Sequence, residues 1–110
     1  MYYVKKTIEV SASHSLKLSY ESKCKNLHGH NWIITVYSRS EKLNEDGMVI
    51  DFSSIKKMIQ DKIDHKNLNE VLNFNSTAEN MAKWICDQIP NCYKVEVQES
   101  ENNIAIYEAD

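Results

Sequence analysis

The sequence predicts an α+β fold in which two helices cover one face of a four-stranded antiparallel sheet, in the order ββααββ. Three observations carry this reading. The first stretch alternates: Tyr2, Val4, Lys6, Ile8, Val10, Ala12 and His14 form a mostly apolar row at every second position. The middle of the chain changes period. Phe52, Ile55, Ile59 and Ile63 recur at three and four residues, and so do Ala78, Met81, Ala82, Ile85 and Ile89. Short β-branched runs then return on either side of a polar turn.

Taken in order, the alternating row is the first strand, and the segment from His28 through Trp32-Ile33-Ile34-Thr35-Val36-Tyr37 has the aromatic and β-branched composition of the second. Glu41 to Gly47 is a polar turn. Met48-Val49-Ile50 leads into the first helix, with Asp51 or Ser53 as its cap. The second helix opens at Ser76-Thr77-Ala78-Glu79, a capping-box pattern in which the Ser76 hydroxyl and the Glu79 carboxylate satisfy free backbone donors, and Pro90 closes it. A hairpin from Lys94 to Glu99 and from Ile104 to Tyr107 turns through Glu101-Asn102-Asn103. A four-stranded sheet of this kind leaves two open edges that need partners.

With 110 residues, one small domain spanning 1–110 is expected. Hydrophobic residues make up 42% of the chain, with only two Gly and one Pro, which argues against disorder or a long linker. The net charge of −3 provides no basic field for nucleic acid. There is no apolar run long enough to span a membrane and no apolar leader in Met1-Tyr2-Tyr3-Val4-Lys5-Lys6, so a cytoplasmic location is expected. Three cysteines, Cys24, Cys86 and Cys92, make an odd count, for which reduced thiols are the default. Cys86 falls among the apolar positions of the second helix and is expected in the core, whereas Cys92 carries no readable signal.

Histidine is scarce, and three of the four residues are placed for metal. His28 and His30 share one face of a strand, and pairing of the first two strands brings His14 beside them. Gly29 between them is expected to allow close backbone approach. Three neutral imidazoles with one position left open form the usual catalytic zinc arrangement. Cys24, four residues before His28, leaves a second reading open, a closed structural zinc site with the thiolate as fourth ligand. Glu99 follows Val95 and Val97 on one strand face, either as a buried carboxylate that needs a partner or as a solvated strand end. In Asp64-His65 the carboxylate could fix the tautomer of the imidazole for proton transfer, although many such pairs only end a helix.

The pieces Ala12-Ser13-His14, Cys24-x-x-x-His28-Gly29-His30, Gly47-Met48-Val49-Ile50-Asp51-Phe52, Ile63-Asp64-His65-Lys66-Asn67-Leu68-Asn69, Ser76-Thr77-Ala78-Glu79-Asn80 and Val97-Gln98-Glu99-Ser100-Glu101-Asn102-Asn103 together resemble the 6-pyruvoyl-tetrahydropterin synthase family. They stand in the family's order and span nearly the whole chain. The short spacing from Cys24 to His28 is closer to the bacterial 6-carboxy-tetrahydropterin synthases of the queuosine and deazapurine pathway.

The resemblance implies the tunnelling fold (T-fold), in which sheets join edge to edge into a homo-oligomeric barrel, usually a hexamer, with active sites between subunits. It implies zinc on His14, His28 and His30, a catalytic triad of Cys24, Asp64 and His65, and a pterin triphosphate substrate anchored by Glu99 with Thr77 nearby. A carboxylate suits the two adjacent donors of an amino-pyrimidine edge. Lys23 and Lys25 flank Cys24 and could favour its thiolate; Lys25 stands where that branch commonly has a small residue. The implied reaction converts 7,8-dihydroneopterin triphosphate to 6-carboxy-tetrahydropterin with loss of triphosphate and acetaldehyde. The alternatives are the pyruvoyl reaction, which keeps those carbons, and a non-catalytic zinc- or pterin-binding module.

Overall fold

A computed structural model describes residues 1–110. Its sheet has five strands, one more than expected: β1 (Tyr2–His14), β2 (His28–Ser40), β3 (Lys66–Asn67), β4 (Cys92–Ser100) and β5 (Asn103–Glu108), in the spatial order β3-β1-β2-β4-β5. The extra strand is two residues long and runs parallel to β1, pairing Lys66 with Ala12 and Asn67 with Ser13. Periodicity cannot show a strand this short. It forms because the chain leaving the first helix lies along an edge of β1 with unpaired backbone groups.

Three helical pieces cover the sheet, where two were expected. The first, α1 (52–63), is helical throughout but passes through a π turn at Lys56–Gln60. Asp51 caps it, its carboxylate accepting from the Ser53 backbone N–H. A single turn, α2 (Leu68–Val71), follows β3, and α3 (Ala78–Gln88) is the longest helix. The even positions of β1 and β2 face these helices. Val10, Trp32, Ile34, Val95 and Val97 pack against Ile55, Ile59, Ile63, Met81 and Ile85, all essentially without solvent contact. Phe52 departs from the expected stripe and is 46% exposed, because it sits at the first helical position, before the helix turns onto the sheet.

Two further expectations are corrected here. The residue that caps α3 is Thr77, whose Oγ1 accepts from the Asn80 N–H at 3.1 Å; Ser76 is fully buried one residue earlier, and its capping box with Glu79 does not form. Gly29 is not demanded by close approach, since a Cβ there would lie 3.9 Å from the Ala12 carbonyl oxygen, an ordinary contact. The C-terminal hairpin turns at Asn102, which adopts φ 68°, a left-handed conformation that asparagine tolerates. Its ladder slips between Gln98 and Ser100, so that Glu99 is the extra residue of a bulge. Cys86 is core, as expected, and burial together with the neighbouring Cys92 thiol pushes its pKa up to about 12. All three cysteines are free thiols.

Candidate metal centre

Register alone assembles the histidines. His14 lies directly opposite His28 and Ala12 opposite His30 in the β1–β2 ladder, so all three imidazoles leave the same sheet face. The ring centroids are 4.6 Å apart for His14 and His28, 4.8 Å for His28 and His30, and 5.2 Å for His14 and His30. Trp32 floors the cluster at 5.0 Å from His14, and its indole N–H donates to the Ala12 carbonyl. Glu99 completes a group of four, whose candidate ligand atoms all lie within 4.8 Å of one another. The bulge in β4 is what turns this carboxylate toward the rings.

The outer nitrogens are already committed. His14 Nδ1 donates to the Ser76 carbonyl at 2.9 Å and lies 3.1 Å from its hydroxyl, and His28 Nδ1 donates to the Asn26 carbonyl at 2.7 Å. Bonds of this kind fix a metal-ligating tautomer by leaving Nε2 with its lone pair inward. Nε2 of His14 and Nε2 of His30 are buried with no hydrogen-bond partner. Glu99 Oε1 is 2.8 Å from His30 Nε2 and 3.6 Å from His14 Nε2, but this proximity lacks hydrogen-bond alignment. Burial lowers the pKa of His14, a Ser76 hydrogen bond and the Glu99 carboxylate oppose it, and the other two imidazoles add to the lowering. Orphaned, inward-facing imidazole nitrogens beside a carboxylate are a donor set that suits a divalent metal.

Cys24 is placed by a 3-10 turn, Lys23–Lys25, and lines a hollow of about 420 Å³ together with Lys23, His28, His30, Glu99 and Asn103. Lys25 is tied to Glu21 at 3.1 Å, so of the two flanking lysines only Lys23 opens on this space. A second hollow of about 270 Å³ also has Glu99 in its wall, with Glu79 and Ala78 opposite.

Asp64 and His65 stand elsewhere in the chain. Asp64 Oδ1 accepts the Ser11 N–H at 2.9 Å, while the His65 N–H donates to the Ser11 carbonyl at 2.6 Å. His65 has φ 59° and an 81% exposed side chain, which lines a hollow with Ser11, Ser13, Asn31 and Lys66 that His30 also borders. Its Nε2 lies 3.7 Å from Asp64 Oδ2, beyond hydrogen-bond range, and neither residue is hydrogen-bonded to Cys24. The structure therefore gathers His14, His28, His30, Glu99 and Cys24, and no hydrogen bond joins Asp64 or His65 to them. Sequence reasoning missed Glu99 as a member of the histidine group and Ser76 as the partner of His14. The bulge that aims Glu99 has no sequence signature, and the capping-box pattern gave Ser76 a different task.

A three-histidine and carboxylate cluster with a thiol in the same hollow, on an α+β sheet, defines a class of fold that carries a candidate metal site. The family model described as 6-pyruvoyl tetrahydropterin synthase matches residues 3–110, and the chain belongs to that family. It is 35% identical to the 6-carboxy-5,6,7,8-tetrahydropterin synthase of Synechocystis over 97% of this chain and 93% of that protein. It is also 35% identical to the human 6-pyruvoyl tetrahydrobiopterin synthase, over 97% of this chain and 91% of that one. Among solved structures, the 6-pyruvoyl tetrahydropterin synthase of Caenorhabditis elegans superposes with a TM-score of 0.79 at 29% identity, covering 99% of this chain and 96% of that chain. Equal identity to proteins named for two different products means that overall similarity does not separate the two reactions.

Proposed function

We propose that this chain is a zinc-dependent 6-carboxy-5,6,7,8-tetrahydropterin synthase of the queuosine and deazapurine pathway. With one water, it converts 7,8-dihydroneopterin triphosphate to 6-carboxy-tetrahydropterin and releases triphosphate and acetaldehyde, the water supplying the carboxylate oxygen and the hydrogens of the broken C–C bond. The observation that carries the proposal is the shared hollow: Cys24 opens onto the same space as His28, His30 and Glu99. A structural zinc site would have drawn the thiol in as a ligand. Instead the fourth member of the cluster is Glu99, and Cys24 stays outside it. The short Cys24-to-His28 spacing favours the carboxy product. The pyruvoyl reaction is the second reading, favoured by the human relative.

In this mechanism His14, His28 and His30 would hold the metal through Nε2. Zinc bound there would supply Lewis acidity to the hydroxyl oxygens of the substrate side chain. Glu99, in the wall of both hollows, accepts the adjacent donors of the pterin ring and orients it, with Thr77 close by at the start of α3. Cys24 removes a side-chain proton, and Lys23 opens onto the same space. Asp64 and His65 return protons to the departing groups. Within one chain His65 lines a different hollow from the one that Cys24 lines, and the pair acts on the site of a neighbouring copy. The exposed edge strand β5, with Ile104 and Ile106 each more than half exposed, supports edge-to-edge assembly of the T-fold kind, a homo-oligomer and by resemblance a hexamer. The whole of 1–110 acts as one pterin synthase-like domain. No helix is long and apolar enough to cross a membrane, and a cytoplasmic location fits the expected reduced thiols.

The test is incubation of metal-loaded protein with 7,8-dihydroneopterin triphosphate, followed by mass analysis of the pterin and a trap for acetaldehyde. A 6-carboxy product with acetaldehyde supports the proposal, and a 6-pyruvoyl product without it favours the second reading. Turnover by Cys24→Ala at the wild-type rate would remove the thiol from the mechanism.

A further inference from the structure

The chain immediately after His14 is irregular, yet five of the six backbone polar groups of residues 15–17 are held. The Asn69 side chain makes two bonds to the backbone of one residue: Oδ1 accepts the Ser15 N–H at 2.7 Å, and Nδ2 donates to the Ser15 carbonyl at 2.9 Å. Asn75 repeats the arrangement two residues on, accepting the Lys17 N–H at 3.0 Å and donating to the Lys17 carbonyl at 3.0 Å. A primary amide that presents acceptor and donor to the same residue reproduces what a neighbouring β-strand would offer. Between the two clamped residues, the Leu16 N–H points the other way and donates to the Cys24 carbonyl at 2.8 Å. That bond is a backbone tether between the turn that carries the thiol and the strand that carries His14.

The second clamp is itself rigidly mounted. The Asn75 carbonyl accepts from the Thr77 N–H at 2.9 Å and from the Asn80 side chain at 3.0 Å. Residues 75, 76 and 77 thus fix, in turn, the Lys17 backbone, the His14 ring and the first turn of α3. We infer that Asn69 and Asn75 are positioning residues whose side-chain amides hold segment 15–17 as a false strand, and that this segment sets the location of Cys24 relative to the metal centre. Neither amide lies in the hollow lined by Cys24, so both act through the backbone alone. The inference rests on the reading of Cys24 as the reacting thiol only for its consequence in turnover; the tether is testable without it.

The experiment compares metal-loaded wild type with Asn69→Ala/Asn75→Ala by amide hydrogen exchange and by peptide-resolved iodoacetamide labelling. Removal of both clamps is expected to raise exchange at the Leu16 amide about tenfold and to change the labelling rate of Cys24, with exchange in β4 and α3 unaltered. kcat should fall about tenfold at unchanged metal content and unchanged KM, a split that general loosening of the fold would not produce. Should the double variant fold poorly, Asn75→Asp keeps the acceptor for the Lys17 N–H and loses only the donor, and it should show the same changes on a smaller scale. Unchanged Leu16 exchange and Cys24 labelling would overturn the inference. If both change but wild type does not process dihydroneopterin triphosphate, the proposed function fails while the tether stands.

Discussion

Replacement of His14 and of His28 by alanine separates stability from metal affinity, because the two ligands differ in burial. The His14 ring has no solvent contact. Its removal opens a core cavity, at about 2–5 kcal/mol for a side chain of this size. It also leaves the Ser76 carbonyl without its 2.9 Å donor, at about 1–3 kcal/mol for a buried acceptor. Partial collapse makes these costs overlap, and a net loss of about 4 kcal/mol is expected. His28 is half-buried, and water can replace its 2.7 Å bond to Asn26, which lies at the surface. About 1 kcal/mol is expected there. The assay is urea unfolding of the metal-free proteins at pH 8. For a urea slope of about 1.5–2 kcal/mol/M, the two midpoints should differ by roughly 1.5–2 M. Titration against a chromophoric chelator should show zinc affinity falling at least about 100-fold in both variants, since each loses a direct ligand. Equal stability losses in the two metal-free variants would refute the argument from burial, and unchanged affinity in His28→Ala would refute the metal centre.

Glu99→Gln is expected to weaken binding of a non-reactive pterin by at least about tenfold, because an amide N–H then opposes the donors of the pterin. Zinc affinity should change less, and an equal loss of both would make Glu99 primarily a metal ligand. Metal-free protein should lose stability on acidification: burial lowers the His14 pKa in the fold, so the unfolded chain binds protons more readily. This contribution is fully favourable above about pH 6.5 and is lost as pH falls from there toward the lowered native value. Denaturation midpoints that do not change across that range in wild type, or that change equally in His14→Ala, would contradict it. Thr77→Ala should cost about 1 kcal/mol by loss of the cap on α3, whereas Glu79→Ala should cost little, because Glu79 makes no capping contact. The reverse ranking in thermal unfolding would restore the capping box.

Much of the centre was readable from residue order, for a physical reason. A β-ladder has period two and pairs neighbouring strands in order, so an alternating row ending at His14 and a His-x-His at the start of the next strand must place three imidazoles together once the register is set. The apolar stripes of the two long helices were legible on the same ground, and Ile55, Ile59, Ile63, Met81 and Ile85 are all buried. Other features depend on contacts between segments distant in the chain. The two-residue β3 exists only because the edge of β1 is free when the chain returns. Ser76 gives up its capping role because His14, 62 residues earlier, arrives beside it needing an acceptor. Glu99 enters the histidine group through a bulge created by a slip between β4 and β5. Local sequence therefore determined which side chains leave which face of each strand and helix, since that follows from backbone geometry within a few residues. Tertiary packing alone decided which buried polar atoms met, because each such atom takes its partner from whichever distant segment the closing core brings within about 3 Å.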